Sequence, residues 1–227
     1  MPSKIELYNM DCMELMKDTP DKFYDLAICD PPYGINAHKL QPPSDSYRHK
    51  TKQNPSKRLN SGGGKLKNRL LNNSSCGWDS SPPNERYFSE LMRVSKNQII
   101  WGGNYFNLPP TRGIICWDKV QPWENFSQFE LAWTSFDCPA KIFRFNKSFV
   151  SNKTHPTQKP EQLYTFVLKK YAEDGDKILD THLGSGSITI ACHDMGFDLT
   201  GTEIDKDYYD SAVKRLENHK KQGQLFI

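Results

Sequence analysis

The 227-residue sequence predicts an α/β fold with a doubly wound sheet, and three observations carry that expectation. The last fifty residues alternate between strand-like and helical patterns, which a mostly parallel sheet with helices on its faces explains. Asp25–Cys29 (DLAIC) reads as a buried strand that stops at Pro31-Pro32. A Gly-Ser turn then separates strand Lys177–Asp180 from helix Ser187–Met195, the strand–turn–helix order of such folds.

Taken in order, Ile5–Asn9 is a short β-like run, Cys12–Lys17 suits a helix, and Asp25–Cys29 is the buried strand. Residues 35–76 are rich in Lys, Ser, Asn, Gly and Pro, and no regular element is predicted there; a loop this long is usually functional or disordered. Regular structure resumes near Trp78. Pro83–Val94 suits a helix and Gln98–Trp101 a strand, followed by strands at Gly113–Trp117, Glu130–Thr134 and Lys141–Phe145. Pro160–Tyr171 places Leu163, Phe166, Val167 and Tyr171 on one helical face, with proline at the start. After helix Ser187–Met195 come strand Leu199–Glu203 and helix Asp205–His219, which Asp205 is placed to cap.

The length suits one domain spanning residues 1–227, carrying the segment at about 35–76 as an insertion. No apolar run approaches the roughly 18–20 residues that span a bilayer, and no apolar stretch follows a basic N-terminus. The six cysteines are scattered without short paired spacings, which argues against a zinc site and a disulfide framework. A reducing cytoplasm, no membrane partner and no metal are the resulting expectations. Charge is unevenly distributed. Residues 35–76 hold nine Lys or Arg against Asp45 alone, so that this stretch is +8 in a chain whose total is +3. Lys50, Lys52, Lys57, Arg58, Lys65, Lys67 and Arg69 are the candidate phosphate contacts within it; a solvated surface insertion is the other reading.

Three motifs carry chemistry. Asp30-Pro31-Pro32-Tyr33 directly follows a strand, where ligands of open α/β sheets sit. The exocyclic amine of a base is a poor nucleophile, because its lone pair is delocalised into the ring. A catalyst needs acceptors for both amine hydrogens: the Asp30 carboxylate offers one, and the main-chain carbonyl of Pro31, held by the fixed φ of proline, offers the other. A fixed carboxylate also stabilises the positive charge that grows on nitrogen in the transition state. Tyr33 presents an aromatic face for a base swung out of the helix, a contact worth about 1–3 kcal/mol.

The second motif is Asp180-Thr181-His182-Leu183-Gly184-Ser185-Gly186-Ser187, where two glycines let a backbone approach a ligand at a helix N-terminus. Glu203 follows Gly184 by nineteen residues, close to the spacing at which an acid holds a ribose diol in nucleotide-binding folds. A dinucleotide fits less well, since the third fingerprint glycine is Thr189 here. The third motif, His155-Pro156-Thr157-Gln158-Lys159-Pro160, leads into a helix and offers Thr157 and Lys159 to a carboxylate.

In this order the three motifs resemble the DNA amino-methyltransferases in their permuted, β-type arrangement, and the chain looks most like the small stand-alone enzymes of bacteria and phages. The resemblance extends to IIWGGNYF (99–106), ICWDK (115–119), FELAW (129–133) and HPTQKP (155–160). It implies a Rossmann-like, circularly permuted sheet of the S-adenosylmethionine-dependent methyltransferases, in which strand Ile5–Asn9 lies beside strand Leu199–Glu203. It implies S-adenosylmethionine as cofactor and double-stranded DNA as partner, in a monomer or homodimer. By the same resemblance Asp30, Pro31, Pro32 and Tyr33 are catalytic and Asp11 meets the cofactor's adenine. Glu203 would hold its ribose, Thr157 and Lys159 its carboxylate beside His155, and Asp180, His182, Leu183, Gly184, Ser185 and Gly186 its methionine part.

Two departures matter. The glycine motif of the family usually opens Asp-Pro-Phe, whereas here it opens Asp180-Thr181-His182, which puts His182 near the methionine end and leads to an expected cofactor affinity that is either unusual or pH-sensitive. Only about twenty residues (135–154) stand where a target-recognition region is usual, which turns attention to the basic segment for DNA contact. Asp30 favours adenine N6 as the methyl acceptor over cytosine N4, the Ser-Pro-Pro-Tyr form being commoner for cytosine. RNA or protein amide substrates and a catalytically silent nucleic-acid-binding subunit are the remaining alternatives. A cytosine-C5 enzyme is excluded by the lack of a Pro-Cys pair, and a nicotinamide oxidoreductase leaves DPPY unexplained.

Overall fold

In chain order the computed structural model contains β1 (Ile5–Tyr8), α1 (Cys12–Asp18), β2 (Tyr24–Cys29), α2 (Glu85–Val94), β3 (Ser95–Trp101), a 3-10 turn (Gly103–Tyr105), β4 (Ile114–Asp118), β5 (Phe129–Thr134), β6 (Lys141–Arg144), α3 (Glu161–Tyr171), β7 (Lys177–Asp180), α4 (Ser187–Met195), β8 (Asp198–Thr202) and α5 (Lys206–Gly223). The residues described are 3–35, 79–121, 127–146 and 158–223.

All eight strands join one sheet in the order β1-β8-β7-β2-β3-β5-β4-β6. Side chains alternate across it, as the period of two in a strand requires. Leu26 and Ile28 of β2 enter one core with Ile99, Trp101 and Ile178, covered by Leu163, Val167 and Leu168 of α3 and Ile188 and Cys192 of α4. Their neighbours Ala27 and Cys29 enter the other, with Ile100 and Leu179, beneath Met16 of α1 and Tyr87, Phe88, Leu91 and Val94 of α2. Burial on both faces explains why DLAIC and QIIW are continuous apolar runs rather than alternating ones.

The five strands β1, β8, β7, β2 and β3 run parallel. Their carboxyl ends therefore lie along one rim of the sheet. β5 is antiparallel to β3 and to β4, so the end of β4 and the start of β5 reach the same rim. From β2 the chain crosses by α2 to β3 on one side; from β7 it crosses by α4 to β8 on the other. These crossovers cover opposite faces, and β2 and β7 are neighbours. The gap beyond their carboxyl ends is thus a topological switch point, the usual ligand crevice of an open α/β sheet. β1 pairs with β8 in parallel register, Ile5 with Leu199 through Tyr8 with Thr202, as the permuted arrangement implies.

The differences from expectation are local. The helix predicted from Pro83 begins at Glu85, because Asn84 turns its side chain onto the Tyr87 amide at 3.1 Å and caps it. The strand predicted from Gln98 begins at Ser95, where α2 runs directly into it. Leu163 and Val167 of α3 are buried as expected, but with Tyr164 and Leu168 rather than Phe166 and Tyr171. The latter two are half-buried and pack sideways on Phe143 and Phe136. Asp205 caps α5 as anticipated, accepting the Asp207 and Tyr208 amides at 2.9 and 3.2 Å. The basic segment beyond Ile35, with Lys50, Lys52, Lys57, Arg58, Lys65, Lys67 and Arg69, lies outside the described residues. Among the described residues no helix is long and apolar enough to cross a membrane.

Leu91 is fully buried between α2 and the sheet. Leu91→Ala should lower unfolding free energy by about 2–5 kcal/mol, read as a drop in the urea midpoint, whereas the exposed Lys169→Ala should stay within about 0.5 kcal/mol.

Candidate active site

Asp30 is the first residue past β2 at the switch point, and its carboxylate is held from two sides. Oδ1 accepts the Tyr33 hydroxyl at 2.6 Å. Oδ2 meets the ammonium of Lys159. The Tyr33 ring stacks on Tyr105 with centroids 4.9 Å apart and planes 12° from parallel. Its seat exists because residue 102 is glycine. Gly102 has φ +71°, and a Cβ there would stand 2.2 Å from the Tyr33 ring. Gly34 ends the motif at φ +74° and donates its amide to Asp79 at 2.7 Å. Burial lifts the Tyr33 phenol well above its ordinary value, so it is a neutral donor to Asp30.

Lys159 precedes α3 and is almost completely enclosed. Besides Asp30 it contacts Glu130 Oε2 at 3.3 Å and donates to the Tyr33 hydroxyl at 3.3 Å. Its ammonium also lies 5.3 Å from the centroid of Trp101. Glu130 Oε1 in turn meets the buried Lys119 at 2.5 Å. Burial acts to lower the Lys159 pKa, but the fields of Asp30 and Glu130 outweigh it and the net direction is up. The lysine is therefore charged, as a buried ammonium with two carboxylate neighbours should be.

Beside Asp30, β7 ends at Asp180 and the chain turns toward α4. Gly184 and Gly186 adopt φ of +51° and +68°. The Gly184 amide donates to Glu203 Oε2 at 2.8 Å, and the Asp205 amide donates to Oε1 at 2.9 Å. A carboxylate has about four acceptor positions, so Glu203 keeps capacity for hydroxyl donors after binding these two amides. Gly186 has a second constraint, since a Cβ would come within 2.8 Å of Ala212 on α5. Here glycine serves helix packing and a left-handed turn, where the sequence suggested only close approach to a ligand. Arg215 braces the turn, donating to the Ser185 carbonyl at 2.8 Å while pairing with Glu161 at 2.6 Å.

On the other side of the rim Asp11 caps α1 through the Met13 amide at 2.8 Å. Asn9 donates to the Glu203 and Ile204 carbonyls at 2.8 and 3.2 Å, so that the end of β1 is tied to the end of β8. Asp180 is buried, and its Oδ1 accepts the His182 amide at 3.0 Å. Burial raises its pKa to about 8, with the negative charges of Asp30 and Glu203 acting in the same direction. Burial drives His182 the other way, to about 4, so its imidazole is neutral near pH 7. Its Nδ1 shares a 2.9 Å hydrogen bond with Thr181, whose hydroxyl meets Tyr87 at 2.6 Å. Of the two, Asp180 is the group whose ionisation lies nearer neutral pH.

A DNA methylase family model, of the N6/N4 methyltransferase type, matches residues 100–214, just over half of the chain. The chain belongs to this DNA methylase family. Among its relatives is the type II methyltransferase M.HpaI of Haemophilus parainfluenzae, 34% identical over 83 residues, or 35% of this chain and 26% of that protein. Another is M2.DpnII of Streptococcus pneumoniae, 28% identical over 149 residues, or 66% and 52%. The match thus spans about half or less of these curated relatives. The fold is similar to that of the M1.HpyAVI–SAM complex, with a TM-score of 0.56 at 19% identity, over 93% of this chain and all of that one. It is also similar to the cytosine-N4-specific PvuII DNA methyltransferase, with a TM-score of 0.60 at 12% identity, over 97% and 92%.

In this member of the family the fold gathers Asp30, Tyr33, Lys159, Asp180, Gly184 and Glu203 on one rim, with Asp11 beyond β1. His155 and Thr157 lie outside the described residues. Glu130, Lys119, Tyr105, Gly102 and Asn9 were not among the predicted site residues. The quoted stretches WGGNY, ICWDK and FELAW held most of them, but only strand pairing shows that Lys119 and Glu130 converge. Away from this rim, His193, Asp194 and His219 bring donor atoms within 4.8 Å of one another, a grouping that cysteine spacing cannot reveal. There the His219 Nε2 meets Asp194 at 2.6 Å and joins α5 to α4.

The native protein holds the Asp180 proton up to about pH 8, whereas the unfolded chain releases it near about 3.9. The native state therefore binds more protons across that window, and this group's contribution to stability falls as pH rises through it. Asp180→Asn, neutral throughout, should gain thermal midpoint relative to the parent between about pH 5 and about pH 8. Parallel curves for the two proteins would contradict the assignment.

Proposed function

We propose that this methylase transfers a methyl group from S-adenosylmethionine to adenine N6 in DNA. The observation that carries the reading is Asp30 at the switch point, its carboxylate aimed by Tyr33 and Lys159 beside the Asp180–Gly186 turn. The residues present fit the cofactor. Asp180 is a buried carboxyl raised to about 8, a position that a cationic sulfonium or ammonium neighbour would relieve. Glu203 retains acceptor capacity for a ribose diol next to the Gly184 amide that it orients. The SAM complex named for the similar M1.HpyAVI structure supports the same choice. When bound, the cofactor supplies a methyl group activated by a positively charged sulfur.

The chain's own groups would act on the acceptor. A flipped adenine lies against Tyr33, whose ring is fixed by Tyr105 and by the glycine at 102. Its N6 hydrogens are accepted by Asp30 Oδ1, in place of the Tyr33 hydroxyl, and by the Pro31 carbonyl. That draws the nitrogen lone pair out of the ring. As nitrogen becomes positive, the carboxylate of Asp30 stabilises it more in the transition state than before, which is the difference that accelerates transfer. Cytosine N4 requires the same acceptors, and the cytosine-N4-specific PvuII enzyme shares the fold, so the base is the finer part of this proposal. Asp30 favours adenine. Lys50, Lys52, Lys57, Arg58, Lys65, Lys67 and Arg69 are proposed, on charge alone, to meet DNA phosphates.

Asp30→Ala should lower methyl transfer to DNA at least about 100-fold while cofactor affinity by calorimetry stays within about threefold. Sequencing of modified bases in host DNA should show N6-methyladenine at a recurring short site with the parent and none with the variant. N4-methylcytosine would move the acceptor to cytosine, and no modified base in either sample would count against DNA methylation. Deleting residues 45–70 should weaken DNA binding at least tenfold, with a reduced salt slope and unchanged cofactor binding; unaltered DNA affinity would refute the assignment of that segment.

A further inference from the structure

Away from the rim, the ends of α4 and α5 bring together three groups able to bind a metal. His193 and Asp194 lie in the last turn of α4, and His219 stands near the end of α5. Both imidazoles aim a nitrogen at one carboxylate oxygen. Asp194 Oδ1 is 3.2 Å from His193 Nδ1 and 2.6 Å from His219 Nε2. The ring centroids are 5.8 Å apart, and one donor atom from each of the three residues falls within 4.8 Å of the others. The side chains are 33%, 51% and 34% exposed, so an ion can enter from solvent without parting the helices.

The charge pattern favours a cation there. The C-terminal end of a helix carries a partial negative charge, and Lys or Arg is its favoured occupant. Asp194 places a carboxylate at that end of α4 and so adds to the negative charge. What faces it is a pair of imidazoles, the commonest metal ligands in proteins. Lys220 and Lys221 follow His219 but are exposed, where water and salt screen them. The spacing suits a small ion of the zinc type. Nitrogen and oxygen ligands at about 2.0–2.1 Å from a tetrahedral ion stand about 3.3 Å from one another. The His193–Asp194 separation already matches. His219 needs to withdraw from Oδ1 by well under an ångström, and rotation of exposed side chains brings the rings together. Calcium and magnesium take oxygen ligands, so two imidazoles argue against them.

We propose that His193, Asp194 and His219 form a zinc site that staples the end of α4 to α5. Each ring gives the ion the lone pair of the nitrogen facing Oδ1 and carries its hydrogen on the other nitrogen. The fourth position is left to water. The site lies at the opposite end of α4 from the Gly184–Ser187 turn, which α5 supports through Ala212 and Arg215. Its effect is therefore on how firmly this helix pair is held, and it is independent of the chemistry proposed for Asp30. Cysteine spacing, which argued against zinc, has no bearing on a site built from imidazoles.

The test uses the full chain, stripped with a chelator and then given zinc chloride near neutral pH. Zinc at about 100 times its dissociation constant should raise the thermal midpoint by about 5–10 °C, and renewed chelation should reverse the rise. The double variant His193→Gln/His219→Gln keeps His38, His49, His155, His182 and every cysteine. It should bind one equivalent of zinc fewer by calorimetry and show no rise. Asp194→Asn, close to the parent in shape, should bind zinc at least about tenfold more weakly. Comparing each protein with and without zinc separates the ion's effect from any stability lost to the substitution itself. Cobalt in place of zinc should give the visible bands of a tetrahedral site without the near-ultraviolet charge transfer that cysteine ligation adds. A parental midpoint indifferent to zinc would overturn the proposal and leave a hydrogen-bonded contact between helices. An equal rise in parent and double variant, unchanged affinity in Asp194→Asn, or a sulfur charge-transfer band would overturn it too, by placing the ion on other ligands.

Discussion

Leu26 and Ala27 of β2 lie against Ile178 and Leu179 of β7, and this pairing at the middle of the sheet is what the site depends on. The strands come from opposite halves of the chain, and the connections that follow them diverge to opposite faces. The chain therefore parts at one point, and among the described residues no helix fills the space between. Asp30 is the first residue past β2 and Asp180 the last of β7, where it still pairs with Gly201 of β8. A buried parallel pair with fully apolar side chains on both faces has one register that satisfies both cores, so the two carboxyls are fixed relative to each other by packing far from the chemistry.

That placement has an electrostatic cost which the rim distributes. Asp30, Asp180, Glu130 and Glu203 bring four carboxyl groups into one low-dielectric region, answered among the described residues by Lys159 and Lys119. The groups meet the imbalance differently. Asp30 and Glu130 share the lysines, Glu203 takes two backbone amides, and Asp180 remains neutral up to about pH 8. A cation entering near Asp180 would complete the balance. That imbalance is in keeping with the positively charged cofactor proposed for this rim.

Much of this was legible in the sequence, for reasons that differ along the chain. Lys177–Asp180 and Ser187–Met195 were read with correct ends because a strand, a turn and a helix follow each other with glycine at both helix boundaries. The places of Asp30 and Glu203 on the rim were legible because each stands next to a strand end, where backbone geometry does the positioning. The α3 face was misread because its periodicity admits two neighbouring stripes, and the choice was made by Phe143 and Phe136, contributed by distant segments. Glu130 and Lys119 were passed over for a related reason. Their roles come from an antiparallel register between β4 and β5, and nothing local to ICWDK or FELAW states which residue faces which. Gly186 was read for close backbone approach to a ligand, but its contact with Ala212 could come only from the packing of α4 on α5.

The edge strand β1 has a consequence for how this molecule is made. Its described ladder partner is β8, and its Lys4 amide bonds to Asp198, 194 residues along the chain. Among the described strands β1 is therefore synthesised long before the strand that seats it. Until residue 202 has emerged, Ile5 and Leu7 have no strand to lie against, and Asn9 has no carbonyl to close the rim beside Glu203. Contacts of such long sequence separation form slowly, because much loop entropy is surrendered before they are gained. Until β8 is made this end of the rim has no partner, so closing the sheet beside Glu203 is a late event in the synthesis of the described fold.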